Sequence, residues 1–185
     1  MLGTDTEVSV GYQLGECDRE YPYRYSLVAT TDTKSDKTLI VVQCNPSLAT
    51  NSGSDPTVGK VAIWAESEGF GKVVFLNLFA LISSRTGALT GKSYEEVVGP
   101  RNNEVMRAQL RRPNCTVVMA WGGDIPVEPE LYAQRLTEIR GYLEEIDLVA
   151  HHVGALSYGT HPRHGRMWNK GNRDIRVLAW EKICS

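Results

Sequence analysis

The chain has 185 residues, 42% hydrophobic and 23% charged, with a net charge of −2. This length and apolar content suit one domain with its own core and exclude a disordered chain. The slight acidity argues against a uniformly basic nucleic-acid binder but leaves room for a local basic patch.

Residues 1–20 are polar, lack periodicity and read as a flexible N-terminal arm, leaving residues 21–185 as a single domain. Residues 21–29 are aromatic and β-branched enough for an edge strand. Residues 39–42 (Leu-Ile-Val-Val) form a continuous apolar run, the pattern of a strand buried on both faces. Asp55-Pro56 then opens a helix, with Asp as N-cap and Pro at the first helical position. Val58, Val61, Ala62, Ala65 and Phe70 supply its apolar stripe, and Gly69 ends it. A second buried strand follows at residues 73–76. Residues 83–93 are a Gly/Ser/Thr-rich excursion. Gly99-Pro100 introduces a helix over 101–112, stopped by Pro113. Residues 115–120 read as a third strand, and 128–145 as a long amphipathic helix with Leu131, Leu136, Ile139 and Leu143 on one face. A fourth strand is expected at 147–151 and a closing strand or helix at 174–180. Strands alternating with helices predict a three-layer α/β/α domain with a mainly parallel central sheet.

Cys17, Cys44, Cys115 and Cys184 are widely spaced with no CxxC pair, so they read as reduced cytosolic thiols. No metal or cofactor is expected. His151-His152 are adjacent strand residues that point to opposite faces, which discounts them as a metal pair. No signal peptide or long apolar span is visible, and a soluble, cytoplasmic, monomeric protein is expected.

Four polar loops follow apolar runs or lie near the C-terminus: Gln43-Cys44-Asn45-Pro46-Ser47, Asn77-Leu78-Phe79, Trp121-Gly122-Gly123 and His161-Pro162-Arg163-His164. In an open parallel sheet, ligands bind outside the carboxyl ends of the strands, so these loops can converge on one site.

With these strings the chain is similar to the DUF1643 family of bacteria and phages, whose motifs read here CNPS at 44–47, DPT at 55–57, NLFA at 77–80, GPRN at 99–102, WG at 121–122 and HPRH at 161–164. The loops also resemble those of the uracil-DNA glycosylase superfamily, which implies a uracil-DNA-glycosylase-like fold. In that resemblance, Gln43-Cys44-Asn45-Pro46-Ser47 matches the loop whose Asp or Asn handles the attacking water. Asn77 matches an Asn that helps read the base, and Trp121-Gly122 matches the end of the third strand. His161-Pro162 matches the start of a last motif whose His donates to the departing base. Arg163-His164 departs from the Ser-Pro usual there.

The implied reaction is hydrolysis of a base–sugar bond in DNA, leaving an abasic site, as in base excision. Positive charge develops on the sugar and negative charge on the base, so the site needs a placed water and an opposed donor. Asn45 can orient a water through its carboxamide oxygen, and even a neutral His161 can donate to a base anion. Gln43, Ser47, Asn77, Phe79 and Trp121 are the candidate base-binding residues, with Phe79 as a stacking surface. The base must leave the helical stack to enter such a pocket. Ser83, Ser84, Arg85, Arg163, His164, Arg166, Lys170 and Arg173 are candidates for contact with DNA. The small Ser47 leaves room for a large pyrimidine substituent, which points to a modified base such as glucosylated hydroxymethylcytosine and to antiviral defence as the setting. Asp55, Glu66, Glu68 and Asp124 stay open as general bases.

Each residue also has a plainer role. An Asn-Pro after a strand is a common turn, Asp55 a helix cap, Phe79 and Trp121 core residues, and the Arg/Lys tail a solvated face. Two other functions fit the same loops: a nucleoside or nucleotide N-glycosidase acting on small molecules, and a non-catalytic module that binds nucleic acid or a protein.

Overall fold

The computed structural model describes residues 11–47, 55–83, 89–168, 171 and 173–183, and seven strands in it form one sheet. In chain order they are β1 (Tyr12–Glu20), β2 (Tyr23–Thr31), β3 (Thr38–Gln43), β4 (Lys72–Asn77), β5 (Cys115–Met119), β6 (Ala150–Val153) and β7 (Ile175–Val177). The helices are α1 (Pro56–Ser67), α2 (Tyr94–Val98), α3 (Asn102–Leu110) and α4 (Pro129–Glu144). Among the described residues, no helix is long and apolar enough to cross a membrane.

The strands lie in the order β1-β2-β4-β3-β5-β6-β7. β4, β3, β5 and β6 are mutually parallel, whereas β1/β2, β2/β4 and β6/β7 pair antiparallel. The expectation of a mainly parallel sheet therefore holds only for its centre. β3 is the middle of the fold, and all six of its residues are buried. The chain leaves β3 through α1 to reach β4 on one side, then passes α2 and α3 to reach β5 on the other. Loops leaving β3 and β5 thus turn apart, and such a switch point opens a crevice at the carboxyl ends of the strands.

Alternation along the central strands feeds two apolar clusters. Leu39, Val41, Val73 and Phe75 meet Val58, Val61, Ala62, Trp64 and Ala65 of α1 on one face. Ile40, Val42, Leu76, Val117 and Met119 meet Met106, Leu110, Leu136, Ile139 and Leu143 from α3 and α4 on the other. On the α1 face, Trp64 and Trp168 pack edge to face with centroids 4.7 Å apart. Each large apolar side chain fully withdrawn from water contributes about 1.5–3 kcal/mol, so these two clusters dominate the stability of the domain. α1 starts as its sequence requires: the Asp55 side chain accepts from Thr57 N, and Pro56 stands in the first turn. Such a cap is worth about 1 kcal/mol.

Two readings of the N-terminal region need correction. Residues 12–20 belong to strand β1 rather than to a loose arm, and β1, not β2, is the edge. The register against β2 shifts between Leu14 and Cys17 and again between Asp18 and Arg19. Those irregularities break the two-residue period and erase the strand from the sequence pattern. Asp18 is also held by a two-pronged pair with Arg101, at 3.0 and 3.1 Å. Helix α2 is a further element that periodicity missed. It is only five residues long, but it carries a complete capping box between Ser93 and Glu96.

Candidate active site

The site grows from the loop that leaves β3. Leu78 N donates to Gln43 O at 2.8 Å and Phe79 N to Cys44 O at 2.9 Å, so the ends of β3 and β4 are clipped together. The Asn45 carboxamide is fixed by its nitrogen, which donates to Ser83 O at 3.1 Å and to Pro46 O at 3.3 Å. Its oxygen is thereby left as the acceptor end. Ser47 donates to Asp55 Oδ2 at 2.6 Å, while Asp55 Oδ1 accepts from Thr57 N at 2.8 Å. The cap of α1 therefore also anchors the loop. Cys44, beside Asn45, is buried, and burial pushes its thiol up to about 12, which keeps it protonated and unreactive.

The second wall follows β5. Gly122 has φ +81°, and its N donates to Pro162 O at 2.9 Å. A Cβ there would stand 3.2 Å from His164 Cβ; at Gly123 one would stand 3.0 Å from the Tyr158 ring. The glycine pair thus lets the segment after β6 lie directly against the loop after β5. Trp121, 1% exposed, packs edge to face with Tyr132.

The third wall is the segment after β6. Ser157 and His161 exchange backbone bonds at 2.7 and 3.0 Å, closing a tight turn. His164 begins a 3-10 turn, Gly165–Met167, and its Nδ1 accepts from Arg166 N at 3.2 Å. Gly165 makes this docking possible, since a Cβ would stand 2.6 Å from a methyl of Val61 on α1. Burial, and then the charge of Arg166, lower the basicity of His164 below the ordinary histidine value of 6.5. With Nδ1 accepting, the neutral ring carries its hydrogen on Nε2.

These walls enclose a half-open cavity of about 570 Å³ at the carboxyl ends of β3 and β5. Of the residues that the sequence singled out, Gln43, Asn45, Ser47, Ser83, Trp121, His164 and Arg166 border it. Asp55 and Asp124 border it too; Glu66 and Glu68 do not, and Glu68 borders a separate depression with Phe70 and Asn114.

Other candidates lie elsewhere. Phe79 is fully buried in the core shared with α3 and α4. Asn77 is 1% exposed, and among the described residues its Oδ1 has no hydrogen-bond partner. The NLFA backbone is held from behind: Asn102 Nδ2 donates to Asn77 O and Leu78 O, and the fully buried Arg135 donates to Leu78 O at 2.6 Å. His161 does not border the cavity. Its ring lies 6.3 Å from that of Tyr132, and its Nδ1 is buried with no partner among the described residues. The Arg163 carbonyl accepts from Trp168 Nε1 at 3.1 Å, and Arg173 is exposed, away from the cavity. Ser84, Arg85 and Lys170 lie outside the described residues.

The family model described as "Protein of unknown function (DUF1643)" matches residues 24–165. The chain belongs to the DUF1643 family. All three cavity walls fall within the matched stretch apart from Arg166 and Met167, just beyond its end. No curated protein and no solved structure matches the chain.

Sequence reasoning did not single out Pro126, Ser157, Tyr158 and Met167, which also border the cavity. The available signal was the Ser-Tyr-Gly-Thr turn preceding His161, for Ser157 and Tyr158. Among the described residues, no three His, Cys, Asp and Glu side chains are grouped to hold a metal ion.

Proposed function

We propose that this protein is a uracil-DNA-glycosylase-like enzyme that hydrolyses the N-glycosidic bond of a modified base in DNA and leaves an abasic site. The observation that carries the reading is the meeting, in one cavity at the switch point of the sheet, of an oriented acceptor and a neutral imidazole donor, Asn45 and His164.

In this reading the Asn45 oxygen orients a water toward the sugar C1′. As the base–sugar bond breaks, its electron pair passes to the base, and His164 Nε2–H donates to the developing anion. The water oxygen bonds to C1′ and its proton passes to a carboxylate. Asp55 already accepts from Ser47 and Thr57, so Asp124 takes this role. The donor is thus assigned to His164 rather than to His161. Trp121 and Gln43 contribute walls for the extruded base. The volume, within the range of pockets that hold sizeable ligands, and the small Ser47 favour a bulky base such as glucosylated hydroxymethylcytosine, with defence against phage as the setting. Arg166 at the rim, with Ser83, Arg163 and Arg173, is offered for phosphate contacts.

The test is incubation of purified protein with end-labelled DNA carrying different modified bases, followed by mild alkali. Strand scission on one modified DNA, lost in Asn45→Ala and His164→Ala, is the expected result. Absence of scission on every DNA, with folded protein, would sink the reading. A nucleoside N-glycosidase is the second reading. It is favoured by the two cavity carboxylates, Asp55 and Asp124, which suit sugar hydroxyls better than phosphates. Release of base from free nucleosides, without DNA binding, selects it.

A further inference from the structure

We infer that this protein takes its DNA as an unpaired strand, and that Tyr21, at the tip of the β1–β2 hairpin, is a stacking platform for a base one to three nucleotides from the one in the cavity. The inference rests on the DNA-glycosylase reading and adds to it the strandedness of the substrate. Among the described residues only two aromatic side chains are exposed, Tyr21 at 79% and Tyr158 at 88%. A single exposed apolar residue is ordinary on a protein surface. These two, however, stand at the same end of the sheet with the cavity between them. Tyr158 follows β6 and borders the cavity, its ring edge against Gly123. Tyr21 lies on the other side, where β2 pairs with β4.

The hairpin tip is tied to the cavity wall through backbone bonds. β2 runs antiparallel to β4, which brings the start of β2 to the carboxyl end of β4. Arg24 N donates to Ala80 O at 3.0 Å, Tyr23 forms an antiparallel bridge with Leu81, and Ile82 N donates to Pro22 O at 2.9 Å. The next residue, Ser83, borders the cavity, and its N donates to Pro46 O at 3.0 Å. Two steps of strand spacing therefore separate the tip from the loop that carries Asn45, about 10 Å. That is the length of about three stacked nucleotides.

The charge of this face decides between a duplex and a single strand. A duplex keeps the faces of its bases stacked inside, so a protein holds it mainly by neutralising phosphates. Here the cavity is bordered by Asp55 and Asp124 as well as by Arg166. Arg101 is paired with Asp18, and at the tip the exposed Arg19 is followed by the exposed Glu20. An unpaired strand instead offers the π-face of every base, and an exposed aromatic ring gains from it whatever the sequence. A face short of net positive charge and flanked by two exposed rings suits that strand and not the duplex.

The test measures binding of an unmodified, fluorescently labelled oligonucleotide by wild type, Tyr21→Ala and Tyr21→Phe, with thermal melting of each protein. The oligonucleotide is used single-stranded, annealed to its complement, and as a strand of the same length and charge built from base-free spacers. Wild type is expected to bind the single strand more tightly than the duplex or the base-free strand. Tyr21→Ala loses roughly 10-fold on the single strand, the equivalent of one base–aromatic stack. It loses nothing on the other two and melts with wild type. Tyr21→Phe keeps wild-type affinity throughout. Tighter binding of the duplex by wild type would overturn the inference, as would no loss in Tyr21→Ala or an equal loss on the base-free strand. The glycosylase reading fails separately. A protein that binds single strands through Tyr21 yet leaves no abasic site in any modified DNA keeps the platform and loses the reaction. One that leaves abasic sites equally well in duplex and single strands, with or without Tyr21, keeps the reaction and loses the platform.

Discussion

Two loops at the same end of the sheet are built in opposite ways. The segment after β4, Asn77-Leu78-Phe79-Ala80, is entirely buried and bolted by Asn102 and Arg135 from the helical layer. The segment after β6, from Ser157 to Arg166, is half-exposed, held through glycines, and borders a cavity. Both carry polar residues at strand ends and look alike as strings. What separates them is the fate of their backbone polar groups. A buried loop must have its carbonyls satisfied by protein, and side chains that do so are tied to stability. A loop at a cavity rim can leave side chains for a ligand.

Substitutions should divide accordingly, and the largest effect is expected in the bolted loop. Arg135→Ala removes one of the two donors to Leu78 O and the buried cation that binds Asn103 and Glu138, and is expected to lower unfolding free energy by about 3–5 kcal/mol. Urea unfolding measures it. Activity per folded molecule should be unchanged; a catalytic loss at full foldedness would erase the distinction between the loops.

Next come the cavity residues. His164→Ala and Asn45→Ala are each expected to reduce turnover by about 100- to 1000-fold, as removal of a preorganised donor or positioning group does, with little change in stability. His161→Ala, behind the rim, should fall well short of that. Single-turnover scission assays rank the three, and a ranking with His161 first would return the donor role to it.

Smaller again is Asn102→Ala, which removes the donor to Asn77 O and Leu78 O and should destabilise by about 1–3 kcal/mol. Thermal melting with activity at permissive temperature checks that only stability moves.

The smallest effect is a pH dependence. His152 and His164 are both less basic in the folded protein than the ordinary value of 6.5, chiefly through burial; Arg176 adds to this at His152 and Arg166 at His164. The unfolded chain therefore binds more protons below pH 6.5, so stability holds above that pH and declines as pH falls toward the lowered folded values. His152→Gln should flatten part of the decline in urea midpoints between pH 7.5 and 5.5 without touching activity. An unchanged slope would show that His152 is not among its sources.

The central strands and the start of α1 were legible in the sequence because they rest on local signals: unbroken apolar runs at 39–42 and 73–76, and an Asp-Pro cap. β1 was not, since its two register shifts destroy the period on which recognition depends. Three of the four loops expected to converge border the cavity, but the burial of the fourth, Asn77-Leu78-Phe79, was not legible. Arg135 reaches Leu78 from a helix 57 positions away, and no local pattern announces that contact. Likewise, His164 rather than His161 meets the cavity because Gly165 docks the following 3-10 turn against Val61 of α1, a packing event between distant segments.

The shape of the sheet edges has a consequence for self-association. An exposed strand edge is a template for another chain, and flat, regular edges invite aggregation. Here one edge is β1, twisted out of regularity by its two register shifts, and the other is β7, three residues long with Arg176 at its centre. Neither offers a straight ladder of free backbone groups. The register shifts that hid β1 from the sequence pattern also make it a poor seed for edge-to-edge self-association.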